Sequence, residues 1–230
     1  MGMPAAEPLA RAARPQATAH YGADARPAWL DRMFDKAPFL RLLEAPILDL
    51  GSGTNHFKAQ FPGQRYVRFD VNPEDRPDVV GDGLALPFKA GSFGGVICAD
   101  VLEHVPEPGR LLTEIRRVVR PGGRLFVSAP FLYPYHLHPG DYYRFTEMGL
   151  EYVLQAAGFR VLRMTTYSTG LFSCVARWGV SWTYGKPRWM QWVLQPAARA
   201  CVSLFNRVDV AKDRFGVSIF CTAVADGAPG

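Results

Sequence analysis

Ile47-Leu48-Asp49-Leu50-Gly51-Ser52-Gly53-Thr54-Asn55 is the stretch on which the fold turns. An apolar run interrupted by a single acid ends abruptly in two glycines one residue apart. A strand covered on both faces reads this way where the chain must reverse at once, because glycine reaches positive φ without steric cost. Outward from it, apolar runs predict a strand over 45–50 and others over 66–70, 78–80, 95–99, 124–129, 160–167 and 217–224. Helical spacing is clearest over 108–119 and 146–157, the second opening on Thr146 as N-cap and closing on Gly158. Over 28–43, Trp29, Leu30, Met33, Phe34, Phe39, Leu40, Leu42 and Leu43 recur at helical intervals, with Pro38 expected to split or kink the helix. Short apolar strands alternating with helices predict an α/β fold. The expectation is a doubly wound, mostly parallel sheet with helices on both faces.

The 230 residues suit one domain, and that length buries enough apolar surface to need no disulfide or metal staple. Hydrophobic residues make up 48% and charged residues 20%, which excludes a disordered chain. The four cysteines, Cys98, Cys174, Cys201 and Cys221, stand singly without zinc spacing and read as small core residues. Residues 1–26 are expected to be a loose leader and 27–230 a single domain. No apolar stretch reaches the ~18 residues of a membrane span, and the N-terminus lacks a basic region followed by an apolar core. A cytoplasmic protein is therefore expected. One segment departs from the average: 171–207 holds Arg177, Lys186, Arg188, Arg199 and Arg207, no acid, and four of the five tryptophans, Trp178, Trp182, Trp189 and Trp192. It lies between the last two strands as an insertion. Tryptophans at i, i+3 and i, i+4 with flanking cations suit either a small second core or a helix lying at a membrane surface.

The glycine loop departs from a dinucleotide fingerprint, whose third glycine would fall at His56. An acid two residues before the first glycine, Asp49, suits a ligand carrying an ammonium group beside an adenosine. Asp70 at the tip of the second strand is placed to accept ribose hydroxyls. The next motifs run in order: Gly81-Asp82-Gly83-Leu84-Ala85-Leu86-Pro87-Phe88, Ser92-Phe93-Gly94-Gly95-Val96-Ile97, Val101-Leu102-Glu103-His104-Val105 and Arg120-Pro121-Gly122-Gly123. The series resembles the class I S-adenosylmethionine-dependent methyltransferases, in particular the broad type 11-like group acting on small molecules. The resemblance covers about 46–167 and implies a Rossmann-like sheet, mostly parallel with an antiparallel C-terminal strand. It implies S-adenosylmethionine as cofactor, with Asp49, Gly51, Ser52 and Gly53 at the methionine part. Asp70 would hold the ribose, Asp82, Gly83 and Leu84 would sit against the adenine, Ala99 and Asp100 would border the methyl group, and Val71 is a further cofactor-binding residue. Two positions depart from the family pattern: Asn55 replaces a glycine, and Gly94 replaces an acid.

Residues for the acceptor are expected after strands four and five. Between Phe131 and Thr146 the chain packs six aromatics, two histidines, one Asp and one Arg, a composition expected to cover something rather than face water. His136, Pro139, Asp141, Tyr142, Tyr143, Arg144, Phe145 and Thr146 resemble a stretch in a subgroup of these methyltransferases found with surface-polysaccharide and secondary-metabolite pathways. His136 is the first choice of general base, with His138 second and His104 in reserve. Asp141 would orient His136 or pair with Arg144, and Arg144 would hold an anionic acceptor or the Asp141 carboxylate. His136, His138 and Asp141 form an incomplete metal set, and no metal is expected. The expected activity is methyl transfer to a hydroxyl, less readily an amine, of a small molecule or glycan. A methyltransferase-fold regulatory or scaffolding protein without turnover is the non-enzyme alternative. Nucleic-acid methylation is a further alternative that the basic pI of 9.1 invites, though the string that holds a flipped base is absent and no nucleic-acid partner is expected.

Overall fold

The computed structural model describes residues 36–54, 57–133, 135, 140–169 and 215–226, together with 187, 189, 190, 192–194, 196, 197, 200 and 201. Among the described residues seven strands form one sheet: β1 (Ile47–Leu50), β2 (Tyr66–Asp70), β3 (Val79–Val80), β4 (Phe93–Ala99), β5 (Val119–Pro130), β6 (Phe159–Thr169) and β7 (Phe215–Ala225). Their spatial order is β3-β2-β1-β4-β5-β7-β6. The pairings β3–β2, β2–β1, β1–β4 and β4–β5 are parallel, and β7 runs antiparallel to both neighbours. The sheet is thus the expected one, and each strand falls at or within a few residues of its predicted run.

Strand alternation divides the core between two faces. Val96 and Cys98 of β4, Leu125, Val127 and Ala129 of β5, and Ile219, Cys221 and Ala223 of β7 turn to one face. Ile97, Phe126 and Phe220, one residue out of phase, turn to the other. The first face is covered by α2 (Pro108–Val118) and α3 (Glu147–Ala156). Leu111, Leu112, Ile115 and Val118 of α2 lie along one helical stripe and are fully buried. In α3 the Thr146 hydroxyl accepts from the Gly149 amide at 3.0 Å, the predicted cap, and Gly158 takes φ +80° after the last turn. The second face is covered by α1 (Ala37–Leu40), whose Phe39 and Leu40 pack on Ile47, Ile97, Phe126 and Phe220.

Pro38 stands in the first turn of α1, where its missing amide donor costs nothing, so a short helix begins at it, in keeping with the expected split; 28–35 lie outside the described residues. The chain between β1 and β2 contains, among its described residues, only a three-residue 3₁₀ turn (Lys58–Gln60). The departure at Gly94 has a steric cause. A Cβ there would lie 2.6 Å from the Glu44 carbonyl and 2.8 Å from that of Ala45, so an acid cannot occupy this position beside the chain entering β1.

Phe126 anchors the second face, with ring centroids 6.1 Å from Phe39 and 6.5 Å from both Phe57 and Phe220. Phe126→Ala should cost about 3–5 kcal/mol in urea unfolding, lowering the midpoint while leaving the slope unchanged. A loss below about 1 kcal/mol would show that this face is not a packed core.

Candidate active site

In an open α/β sheet, ligands bind beyond the C-terminal ends of the strands, where the order reverses. Here that point lies between β1 and β4, which are hydrogen-bonded neighbours in register Leu50↔Cys98. Gly51 follows β1 with φ +69°, and a Cβ on it would strike the Val101 methyl at 2.4 Å, so the two loops meet in contact. Gly53 has φ +46° and open space where its side chain would be. Its amide donates to Asp70 Oδ2 at 2.8 Å, while the Asn72 amide donates to Asp70 Oδ1 at 2.9 Å. The Asp70 carboxylate, nearly buried, therefore fastens the glycine loop to the tip of β2. Each of its oxygens keeps a second lone-pair direction for a ligand hydroxyl. Below the loop the Arg68 guanidinium donates to the carbonyls of Gly53 and Asp75, both at 2.7 Å.

Asp49 is almost fully buried and accepts from the Tyr66 hydroxyl at 2.5 Å. Burial pushes its carboxyl up to about 6, against the pull of that hydrogen bond and of nearby Arg68. Ser52 is buried with a hydroxyl that has no hydrogen-bond partner among the described residues. Val71 is exposed beside Asp70. Asp82 caps the turn Gly83–Ala85 by accepting from the Leu84 amide at 2.9 Å, and a Cβ on Gly83 would meet Leu111 at 2.8 Å. An orphaned buried hydroxyl, an open cradle at Gly53 and spare acceptor capacity on Asp70 fit a ligand with a hydroxylated sugar.

The chain then leaves β4 through Ala99 into Asp100, whose φ of +54° is unusual for a residue with a side chain. It is held there by β5: the Asp100 amide donates to the Ser128 carbonyl and the Ser128 hydroxyl to Asp100 Oδ1, both at 2.9 Å. Lys36 Nζ lies 3.4 Å from Asp100 Oδ2. In the following turn (Leu102–His104) the Glu103 side chain is wholly buried, and neither of its oxygens has a hydrogen bond among the described residues. Burial, then the nearby Asp100 charge, pushes its carboxyl up to about 8.

This turn carries the aromatic segment. The Tyr142 amide donates to the Glu103 carbonyl at 2.7 Å, and the Tyr143 hydroxyl to the Pro106 carbonyl at 2.9 Å. His104 Nδ1 bonds the Gly140 carbonyl, and its Nε2 lies 3.7 Å from Glu103 Oε1. Asp141 pairs with Arg144 through both carboxylate oxygens, one contact being 2.7 Å. Of the two partners weighed for Asp141, the structure thus supplies Arg144; His136 and His138 lie outside the described residues. Tyr133, Tyr135, Asp141, Tyr142, Tyr143 and Arg144 line an open cleft of about 310 Å³. Among the described residues no group of three His, Cys, Asp or Glu side chains is placed to hold a metal ion.

Residues 48–127 match the family model described as a methyltransferase domain. An uncharacterized methyltransferase of Mycobacterium tuberculosis is 30% identical over 181 residues, spanning 64% of this chain and 68% of that protein. The chain belongs to the class I S-adenosylmethionine-dependent methyltransferases. Solved structures agree on the fold of this methyltransferase. The Burkholderia thailandensis 1,6-didemethyltoxoflavin-N1-methyltransferase, solved with its substrate and S-adenosylhomocysteine, superposes with a TM-score of 0.56 at 20% identity, covering 89% of this chain and 83% of the other. The [4+2]-cyclase SpnF superposes with a TM-score of 0.57 at 20% identity, covering 85% and 81%. Motif reading singled out the glycine loop, Asp70 and Asp100 but not Lys36, Arg68, Glu103 and Ser128, which the structure places beside them. No motif marks these four; only the register that puts Ser128 beside Ala99, and the burial of an acid, reveals them.

The Glu103 carboxyl gives the methyltransferase a pH signature. Below the ordinary carboxylate range the acid holds its proton whether the chain is folded or not. Above it the unfolded chain ionises while the folded chain keeps the proton until about pH 8, so stability falls as pH rises through that interval. Glu103→Gln removes this titration, whereas Asp49 titrates in both proteins and cancels. The stability of the variant relative to wild type should therefore rise between about pH 5 and about pH 8 in urea unfolding. A difference independent of pH would mean that Glu103 ionises normally.

Proposed function

We propose that this enzyme transfers the methyl group to a hydroxyl of a small molecule or glycan held in the tyrosine-lined cleft. The observation that carries the reading is the cleft itself. Four tyrosines beside the Asp141–Arg144 pair offer flat apolar faces and a few directed polar groups, the composition of a site for a ring bearing hydroxyls. The cleft is fastened to the turn after β4, next to Asp100.

In this proposal Gly51, Ser52 and Gly53, with Asp49 beneath them, hold the methionine part of S-adenosylmethionine. Asp70 accepts from the ribose hydroxyls. Val71, Asp82, Gly83 and Leu84 flank the adenine, and Ala99 and Asp100 border the reacting end. When bound, the donor supplies a methyl carbon on a positively charged sulfur, open to in-line displacement. The protein's work is to align the acceptor oxygen, exclude water and take the hydroxyl proton. His136 is the proposed proton acceptor, with His138 as second choice and His104, whose Nδ1 bonds the Gly140 carbonyl, in reserve. Arg144 and Asp141 position the acceptor. The segment 171–207 is proposed to rest on a membrane surface, bringing the cleft to a lipid-linked acceptor; the exposure of Trp189 and Trp192, at 70% and 82%, supports this. No helix of the described residues is long and apolar enough to cross a membrane.

Asp70→Ala should weaken S-adenosylhomocysteine binding by at least about tenfold in calorimetry, since two charge-assisted contacts are lost. Equal affinity in wild type and variant would remove Asp70 from the donor site. Methyl-labelled donor should place its label on hydroxyl groups of a sugar and phenol panel; label on amines alone would overturn the acceptor class.

A further inference from the structure

Lys36 stands at the N-terminal end of α1, and its side chain reaches past the second face of the sheet to the edge where β4 ends. Its ammonium lies 3.4 Å from Asp100 Oδ2 and 5.4 Å from the ring centroids of both Phe57 and Phe220. The side chain is only 15% exposed. A lysine normally keeps its ammonium in water, so one held between two aromatic faces and a carboxylate is placed by the fold. Asp100 is equally constrained, by its positive φ and by the two bonds from and to Ser128. Both charges sit where the loop after β1 touches the loop after β4, through Gly51 and Val101.

We infer that Lys36 is a positioning residue for the methyl-transfer reaction, neutralising Asp100 so that the site does not hold the sulfonium donor more tightly than its thioether product. The inference rests on the donor reading above. Donor and product differ by one methyl group and one positive charge. A bare carboxylate at the reacting end would favour the charged donor and add a grip that the reaction must release as the charge leaves sulfur. The ammonium beside it cancels that preference.

The other charged groups facing Asp100 leave this balance intact. Glu103, with its carboxyl pushed up to about 8, is mostly uncharged at neutral pH. Asp141 and Arg144 pair with each other. Among the described residues the local balance is therefore set by Lys36 and Asp100, and removing one or the other should tip it in opposite directions.

The test is calorimetric binding of S-adenosylmethionine and S-adenosylhomocysteine, at about pH 7, to wild type, Lys36→Met, Lys36→Arg and Asp100→Asn. Met keeps the length of the stem without the charge, and Asn tolerates the left-handed backbone at position 100. In Lys36→Met the preference for donor over product should rise on the order of tenfold relative to wild type. In Asp100→Asn it should fall by a comparable factor, and Lys36→Arg should stay near wild type. A general loosening of the site would weaken both ligands together. If the donor-to-product ratio is the same in all four proteins, the ion pair is only structural and the inference fails. A ratio that moves in Asp100→Asn but not in Lys36→Met also overturns it. Wild type that binds neither ligand overturns the donor reading itself, a result distinct from an unchanged ratio.

Discussion

The carboxylate of Asp70 joins the two turns on which the proposed donor side is built. By accepting the amides of Gly53 and Asn72 it fixes the loop after β1 against the loop after β2. Without that contact the glycines at 51 and 53, chosen for backbone freedom, would leave the loop without a defined shape. The cost of ordering a glycine-rich turn is offset by two charge-assisted bonds made at the sheet edge, close to the core. Arg68 secures the same loop from below through carbonyl contacts. The loop then meets Val101, so a constraint set at β2 reaches the end of β4.

The proposed acceptor side is built differently. Its backbone is pinned to the turn after β4 by Tyr142, Tyr143 and His104, and the ion pair of Asp141 with Arg144 is internal to the segment. Such a segment can change its exposed side chains without disturbing the sheet, because the anchoring bonds come mostly from backbone groups. The likeness in fold to both an N-methyltransferase and a cyclase is consistent with chemistry residing in such loops rather than in the sheet.

Much of this was legible in the residue order. The strands were readable because β4, β5 and β7 carry apolar runs broken by few polar residues, and glycine marks the close of β1. Asp70 was readable because an acid closes the second strand. Pro38 marked a helix boundary, because a proline within a periodic stretch signals either a break or a first turn, and the structure places it in a first turn. Lys36 and Ser128 were invisible for another reason. Their meaning comes from contacts with Asp100 across 64 and 28 positions of chain, which no local pattern encodes. Glu103 belongs to the string Leu-Glu-His, in which an acid beside a histidine reads as a surface residue until burial is known.

The central claim is that the edge between β1 and β4 is the donor site, with Asp70 at the sugar and Asp100 at the sulfur. A crystal structure with S-adenosylhomocysteine tests it most directly. The account predicts both ribose hydroxyls within hydrogen-bonding distance of the Asp70 carboxylate and the sulfur beside the loop that joins β4 to the Leu102–His104 turn. A ligand bound elsewhere on the sheet, or bound with its sugar away from Asp70, would contradict it.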